Sequence, residues 1–331
     1  WGGMIGAVSG MNVAGLTVTI NAAKSAIPTS ARTPISILAR EILQYASNIN
    51  DAWAIANKRE TFVSESILVG SASDGQAVII EKSPFKTAMV RPAGQYIACA
   101  NHFQSAEFAA DPMNVANMNE NASVYRYKRL IQDITNNTPL DYLGAASILR
   151  DQRGLNDRDI GMGNEKAMNQ LIAHHSIIFM PGKLLVWVST SPWQLGPYVC
   201  YDLGKIFHNF AGLQNKVEVT EPGKTIPADV FMGSAGYNRY LRFREMRKEL
   251  ELHLRTGKPV SLPGSFLTEF KNTNPSYYEV YSLTGDYYTR HGNLELARLE
   301  YEAALSKVVP RWQEKKSIIK KLAGCNVNGL K

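Results

Sequence analysis

Along the first two hundred positions the apolar residues come in short runs, cut by Gly, Pro, Asn and Asp, and two helical stretches interrupt them. "MIGAVSGMN" and "GLTVTINAA" read as two strands joined by a turn at Val13-Ala14-Gly15. Thr33 before Pro34 predicts a helix start, with the threonine as cap and proline in the first turn. "PISILAREILQYA" follows, with Ile35, Leu38, Ile42 and Leu43 at helical spacing, and a second helix is predicted from about Asn50. Then come the strands "SILVGSA", "QAVIIEKS", "KTAMVRP" and "QYIACAN", the first pair joined by an Asp74-Gly75 hairpin turn.

Residues 111–121, rich in Asn and Met, read as a polar loop, followed by helices in "SVYRYKRLIQDI" and "PLDYLGAASILRD". Arg153 to Asn164, rich in Gly, Asn and Asp, reads as a surface loop. Strands return in "HHSIIFMPGKLLVWVSTS", with its turn at Pro181-Gly182, and in "GPYVCYDL". From about residue 220 the pattern is helical. It includes the long "AGYNRYLRFREMRKELELHL" and a tetratricopeptide-like hairpin over about 275–310, carried by Gly285, Tyr288, Ala297, Tyr301 and Ala304. Tyr281 stands where that repeat usually has Trp, and Pro310 falls one place late. A single such unit cannot bury its own face, so the hairpin is expected to pack on the main domain. The order strands, helices, strands, helices, strands predicts an α+β domain over 1–215 with sheets inside and helices outside, and a helical extension over 216–331.

Composition narrows this picture. At 331 residues, 45% hydrophobic and 20% charged, the chain suits a folded domain with an appendage. No apolar run approaches the ~20 residues of a bilayer-spanning helix. Of the net charge of +7, most lies in residues 221–331, with 18 Lys/Arg against 12 Asp/Glu. Those charges are interleaved, as on a solvated helix face, so no nucleic-acid partner is expected. Cys99, Cys200 and Cys325 are too widely spaced for a disulfide framework or a zinc site. With neither a metal-ligand cluster nor a glycine-rich phosphate loop, no cofactor and no metal are expected.

Three stretches in order carry a resemblance: "GGMIGAVSGMNVAGLTVTINAA", "SESILVGSASDGQAVIIEKSPFKTAMV" leading into "ACANHF", and "HHSIIFMPGKLLVWVST". With the G-x-N-x-x-G-L element (Gly10, Asn12, Gly15, Leu16), then Asn21, then Ala100-Asn101-His102, they resemble the isopenicillin-N acyltransferase family of N-terminal nucleophile hydrolases, related to choloylglycine hydrolases and acid ceramidase. The resemblance implies a four-layer αββα sandwich and a small-molecule amide or thioester substrate. In such enzymes a cysteine exposed by self-cleavage attacks the carbonyl and its α-amino group serves as base.

By the same resemblance Asn101 matches the oxyanion asparagine, an amide donor that suits a developing negative charge. Asn21 matches a second polar position, an oxyanion or amine-orienting group, with a plain turn former as the other reading. His102, His175 and Phe103 are candidate substrate contacts, though His102 reads more simply as a packed, hydrogen-bonded neighbour. His174 and His175 stand near where the acyltransferase places an arginine. Arg126 and Arg129 also match basic positions, with a helix salt bridge as the favoured reading. Val69, Phe103, Trp187 and Trp193 fit an acyl pocket or, more simply, core packing.

The implied nucleophile belongs a few dozen residues before "GGMIG", so the chain is expected to lack it, to need that missing N-terminal segment as its partner, and to be inactive alone. The alternatives are an N-acyl amidase of the choloylglycine or ceramidase kind, and an inactive binding protein that uses its helical tail. A homo-oligomer is left open. Export to the periplasm is slightly favoured over the cytoplasm.

Overall fold

A computed structural model of the chain describes residues 3–26, 30–208, 218–256, 262 and 264–327. The boundary expected at residue 215 lies outside them. Among the described residues are two antiparallel sheets and eleven helices.

The first sheet is a five-stranded meander: β1 (Ser9–Met11), β2 (Leu16–Ala22), β3 (Glu65–Ser71), β4 (Gln76–Lys82) and β5 (Thr87–Val90). Alternation gives it two distinct faces. Leu16, Val18, Ile67, Val69, Val78 and Ile80 form one face and bury against α1 (Ile35–Tyr45) and α2 (Ile49–Lys58). Ladder pairing aligns Asn21, Ser66 and Glu81 across three strands on the other face.

Helix α1 begins after Pro34, and Thr33 makes no cap; it bridges instead to Thr61. Asn48 caps α2 by accepting from the Asp51 N–H at 2.9 Å. The G-x-N-x-x-G-L element is a fastener. Asn12 accepts from the N–H groups of Ala14 and Leu16, both at 3.0 Å, and donates to the α1 carbonyls of Leu43 at 3.1 Å and Ala46 at 2.7 Å. Gly15, at φ +70, turns the chain where an added Cβ would lie 2.9 Å from the Pro181 carbonyl oxygen.

Two expectations change here. "QYIACAN" joins no sheet; residues 96–100 belong to no strand and have no ladder partner. The stretch 111–121 is mostly helix, α3 (Pro112–Glu120), because Asp111 accepts from the N–H groups of Met113 and Asn114 and proline sits in the first turn. Helices α4 (Ser123–Asn136) and α5 (Tyr142–Leu149) follow as expected.

The second sheet is β6 (Ile177–Met180), β7 (Leu185–Ser189) and β8 (Tyr198–Asp202). Its Trp187 stacks on Tyr142 of α5, with ring centroids 4.7 Å apart. A short helix, α6 (Leu203–His208), leaves it.

The rest is helical: α7 (Ala235–Thr256), α8 (Phe266–Thr273), α9 (Tyr278–Arg290), α10 (Leu294–Ser306) and α11 (Trp312–Val327). Helices α9 and α10 pack as a hairpin, with Ala297, Tyr301 and Ala304 buried. The tail core takes in Leu171 and Leu195 from the preceding region. Residues 153–164 are correspondingly less of a surface loop than their composition suggests. Ile160, Gly161 and Asn164 are buried there, and the Asn164 amide donates to the Val308 carbonyl at 2.9 Å. No described helix is long and apolar enough to cross a membrane.

Candidate functional site

Strand β2 ends at Asn21-Ala22, and the loop 98–105 meets that end through Asn101. The Glu81 carboxylate fastens this segment by accepting from the backbone N–H groups of Gln104 and, at 3.1 Å, Ser105. Burial raises the Glu81 pKa, and these hydrogen bonds work against the rise. The Gln104 side chain closes the loop on the Ala98 carbonyl at 2.9 Å.

Held this way, Asn101 donates from Nδ2 to the Ala22 carbonyl at 3.1 Å. Its side-chain oxygen accepts from Arg126 Nη2 at 2.8 Å, and its own carbonyl accepts from the Asn117 amide at 2.6 Å. Arg126 comes from the second turn of α4 and Asn117 from α3. These groups face an open cavity of about 370 Å³, lined also by Ala22, Lys24, Asn121, Ser123, Glu165, Gln170 and Arg311. Arg311 is tied to Glu165 by two hydrogen bonds, the longer at 2.7 Å.

Electrostatically the cavity is short of anions. Burial pulls Arg126 below its ordinary pKa and the charge of Glu165 opposes the shift, but a guanidinium stays charged in a protein. Arg126 Nε is buried without a hydrogen-bond partner among the described residues. A desolvated cation of this kind favours a bound anion or a developing negative charge.

The other candidates lie around this point in different ways. Asn21 is one residue back on β2, on the opposite face of the strand from Ala22, beside Ser66 and Cys99. His102 is buried and shares a 2.7 Å hydrogen bond with Ser123, whose residue lines the cavity. Burial, then the nearby Arg126 charge, lowers its pKa, so the imidazole is neutral at pH 7. Phe103 packs on Phe108 with ring centroids 4.2 Å apart, inside a small core cluster. His174 and His175 are exposed ahead of β6 and line none of the described cavities near Asn101.

Val69 and Trp187 are core residues, and Trp193 packs edge-on against Tyr240 of the tail. Arg129 is a salt-bridge residue, bound to Asp133 at 3.1 Å, Asp151 at 2.8 Å and Asp157 at 2.9 Å. A larger cavity, about 680 Å³, opens beside this cluster. Its charged groups are largely spent on one another, which makes it the weaker candidate for chemistry despite its size.

None of the three cysteines lines the Asn101 cavity. The Cys99 thiol is pushed up to about 12, first by burial and then by the Glu81 charge, and so is protonated and inert at neutral pH. Among the described residues no group of three or more His, Cys, Asp or Glu is arranged to hold a metal ion.

Asn117, Asn121, Ser123, Glu165 and Arg311 went unrecognised in the sequence. The first two lie in the polar stretch before α4 and Ser123 opens that helix, while the last two come from regions distant in the chain.

Residues 2–158 match the family model described as acyl-coenzyme A:6-aminopenicillanic acid acyl-transferase. The resemblance seen in the sequence is thus borne out over that stretch, which contains Asn21, Asn101 and Arg126. Antiparallel sheets with packed helices agree with the α+β class expected of it. No curated protein matches the chain.

Proposed function

We propose that the cavity bounded by Asn101 and Arg126 is the acyl-transfer site of an enzyme that forms an acyl-enzyme from an amide or thioester, in a four-layer αββα domain. One observation carries the reading: the Asn101 side-chain amide is held at both its nitrogen and its oxygen, its backbone carbonyl is held by Asn117, and it opens on a cavity next to a desolvated guanidinium. A rigid neutral donor and a nearby cation are what a tetrahedral oxyanion requires.

In this scheme a nucleophile attacks the carbonyl, and the carbonyl oxygen gains negative charge within reach of the free Asn101 N–H. The C–N or C–S bond then breaks, and water or an amine takes the acyl group. The nucleophile is a residue other than Cys99, Cys200 and Cys325. An α-amino cysteine released by self-cleavage fits the resemblance. Asn21 would act at the border of this site, as a second donor or by orienting the attacking amine.

The test is intact-mass spectrometry of the protein purified from its native source after incubation with acyl thioesters and amides. An added acyl mass that Asn101→Ala slows by about 10²–10³-fold is expected. Absence of any acylated species with either substrate class would sink the reading and favour a binding protein.

A further inference from the structure

Of the twelve residues that line the Asn101 cavity, nine are polar or charged and the other three are alanines. None of Val69, Phe103, Trp187 and Trp193, the side chains suited to an acyl pocket, is among them. A long hydrocarbon chain placed there would strip water from amides and charges and offer them no partner in return. A short group that donates and accepts hydrogen bonds replaces that water. Unpaired polar groups are an effective way to reject the wrong ligand.

Two of the charged residues, Glu165 and Arg311, lie beyond residue 158 and so outside the family match. Arg311 donates from Nε and Nη2 to the two carboxylate oxygens of Glu165, a forked pair with one fixed geometry. Neighbouring bonds clamp both ends of the pair. The buried Asn164 amide donates to the Val308 carbonyl at 2.9 Å, and the Lys166 ammonium donates to the Val309 carbonyl at 3.1 Å. Residues 164–166 therefore grip the link between α10 and α11 at three successive points. Two long side chains that would otherwise sample many rotamers are held in one arrangement at the edge of the cavity.

We infer that the Arg311–Glu165 pair is a specificity wall of the Asn101 cavity, through which the helical tail restricts the reacting acyl group to a short, hydrogen-bonding one. The inference rests on the acyl-transfer reading of the cavity. It adds to that reading a substrate class, and it sets the chain apart from an N-acyl amidase of the ceramidase kind, whose acyl group is a long chain.

The experiment compares acylation of the full-length protein by two thioesters of one common thiol, glycoloyl and octanoyl, followed by intact mass. It is repeated on Glu165→Ala/Arg311→Ala, which removes the wall and leaves no unpaired charge, and on the exchanged pair Glu165→Arg/Arg311→Glu. The two side chains are 30% and 50% exposed, and a surface ion pair adds little to stability, so these variants are expected to fold as the parent does. The parent should favour glycoloyl in kcat/KM by at least about tenfold. The double-alanine variant should lose about tenfold of that preference, mainly through KM, and the exchanged pair should recover part of it.

A parent that favours octanoyl, or a double-alanine variant with the parent's preference, overturns the inference. An exchanged pair no more selective than double alanine overturns the assignment to the ion pair. Asn101→Ala separates the wall from the chemistry. If it slows both thioesters while removal of the wall leaves the preference unchanged, the acyl-transfer reading stands and the wall falls. If it leaves both rates intact while the preference still shifts with the wall, the oxyanion role of Asn101 fails and the wall stands.

Discussion

Arg126 donates from Nη2 to the side-chain oxygen of Asn101 at 2.8 Å, and this single bond decides which way the Asn101 amide faces. With the oxygen taken by the guanidinium, the NH₂ must point the other way, where one N–H meets the Ala22 carbonyl at 3.1 Å. The second N–H is left for the cavity. Without Arg126 the two amide orientations become closer in energy, and the flipped one would present an oxygen to a developing oxyanion. Arg126→Met is therefore expected to lower kcat by at least tenfold in the native enzyme, and Asn101→Ala by about 10²–10³-fold. A double variant no worse than Asn101→Ala alone would show that Arg126 acts through Asn101; additive losses would show that it meets the substrate itself.

Glu65 begins β3 on the helix-facing side of the sheet, opposite Lys82 in the ladder. Lys82 is engaged elsewhere, donating to Thr87 Oγ1 at 2.7 Å. Burial consequently pushes the Glu65 carboxyl up to about 7 from 4.5. A raised folded-state pKa means the native state holds its proton more tightly than the unfolded chain. That stabilisation is full below about pH 4.5 and disappears as pH rises through 7. Glu65→Gln should match the parent near pH 4 and exceed it above pH 7 by about 2 kcal/mol, after discounting for partial exposure. Chemical denaturation at four or five pH values checks this, and parallel curves would refute it.

At Arg129 the arrangement is reversed, one guanidinium among three carboxylates. Its side chain is 5% exposed, and those of Asp133 and Asp151 are 9% and 14% exposed. The Asp133 carboxyl is pushed up to about 6 by burial and by the Asp151 charge, with Arg129 pulling it down. Removing the guanidinium leaves buried like charges face to face, which typically costs 3–5 kcal/mol. Arg129→Met should lose about 3 kcal/mol at pH 8 and distinctly less at pH 5, because protonation of the carboxyls relieves the repulsion. An equal loss at both values would show that the cluster is held by packing.

How much of this was readable beforehand depended on how local each feature is. The hairpin at Asp74-Gly75 and the helices after Ser123 follow from periodicity and turn chemistry within a dozen residues. Asn12 was visible as part of a motif. Its job of fastening the β1–β2 turn to α1 was not visible, because Leu43 and Ala46 lie more than thirty positions away. "QYIACAN" has the composition of a strand, yet Ala98 and Gln104 close on each other and Glu81 holds the segment as a loop. The candidate site itself was half legible. Asn101 stood out at the end of an apolar run, while its partners Asn117 and Arg126 are ordinary helix residues until tertiary packing brings them together.

Gly161 tests whether the helical tail and the sheet-bearing region share one fold. Its φ is +84, and an added Cβ would fall 2.5 Å from Tyr277 Cα and 2.6 Å from Tyr277 N at the foot of α9. Backbone cannot swing aside as a flexible side chain can, so either the 153–164 segment or the tail must move. The backbone strain alone costs roughly 1–2 kcal/mol for an L-residue. Gly75, at φ +62 with nothing near an added Cβ, carries the strain without the clash. Gly161→Ala should destabilise by about 2 kcal/mol more than Gly75→Ala. Unfolding followed by tryptophan fluorescence and by circular dichroism should still give one coincident transition for Gly75→Ala. For Gly161→Ala the loss should reach both the Trp193–Tyr240 contact and the Asn164–Val308 hydrogen bond, which straddle the junction. Equal destabilisation by the two substitutions would mean that the junction at Tyr277 yields without cost and that the tail folds as a separate unit.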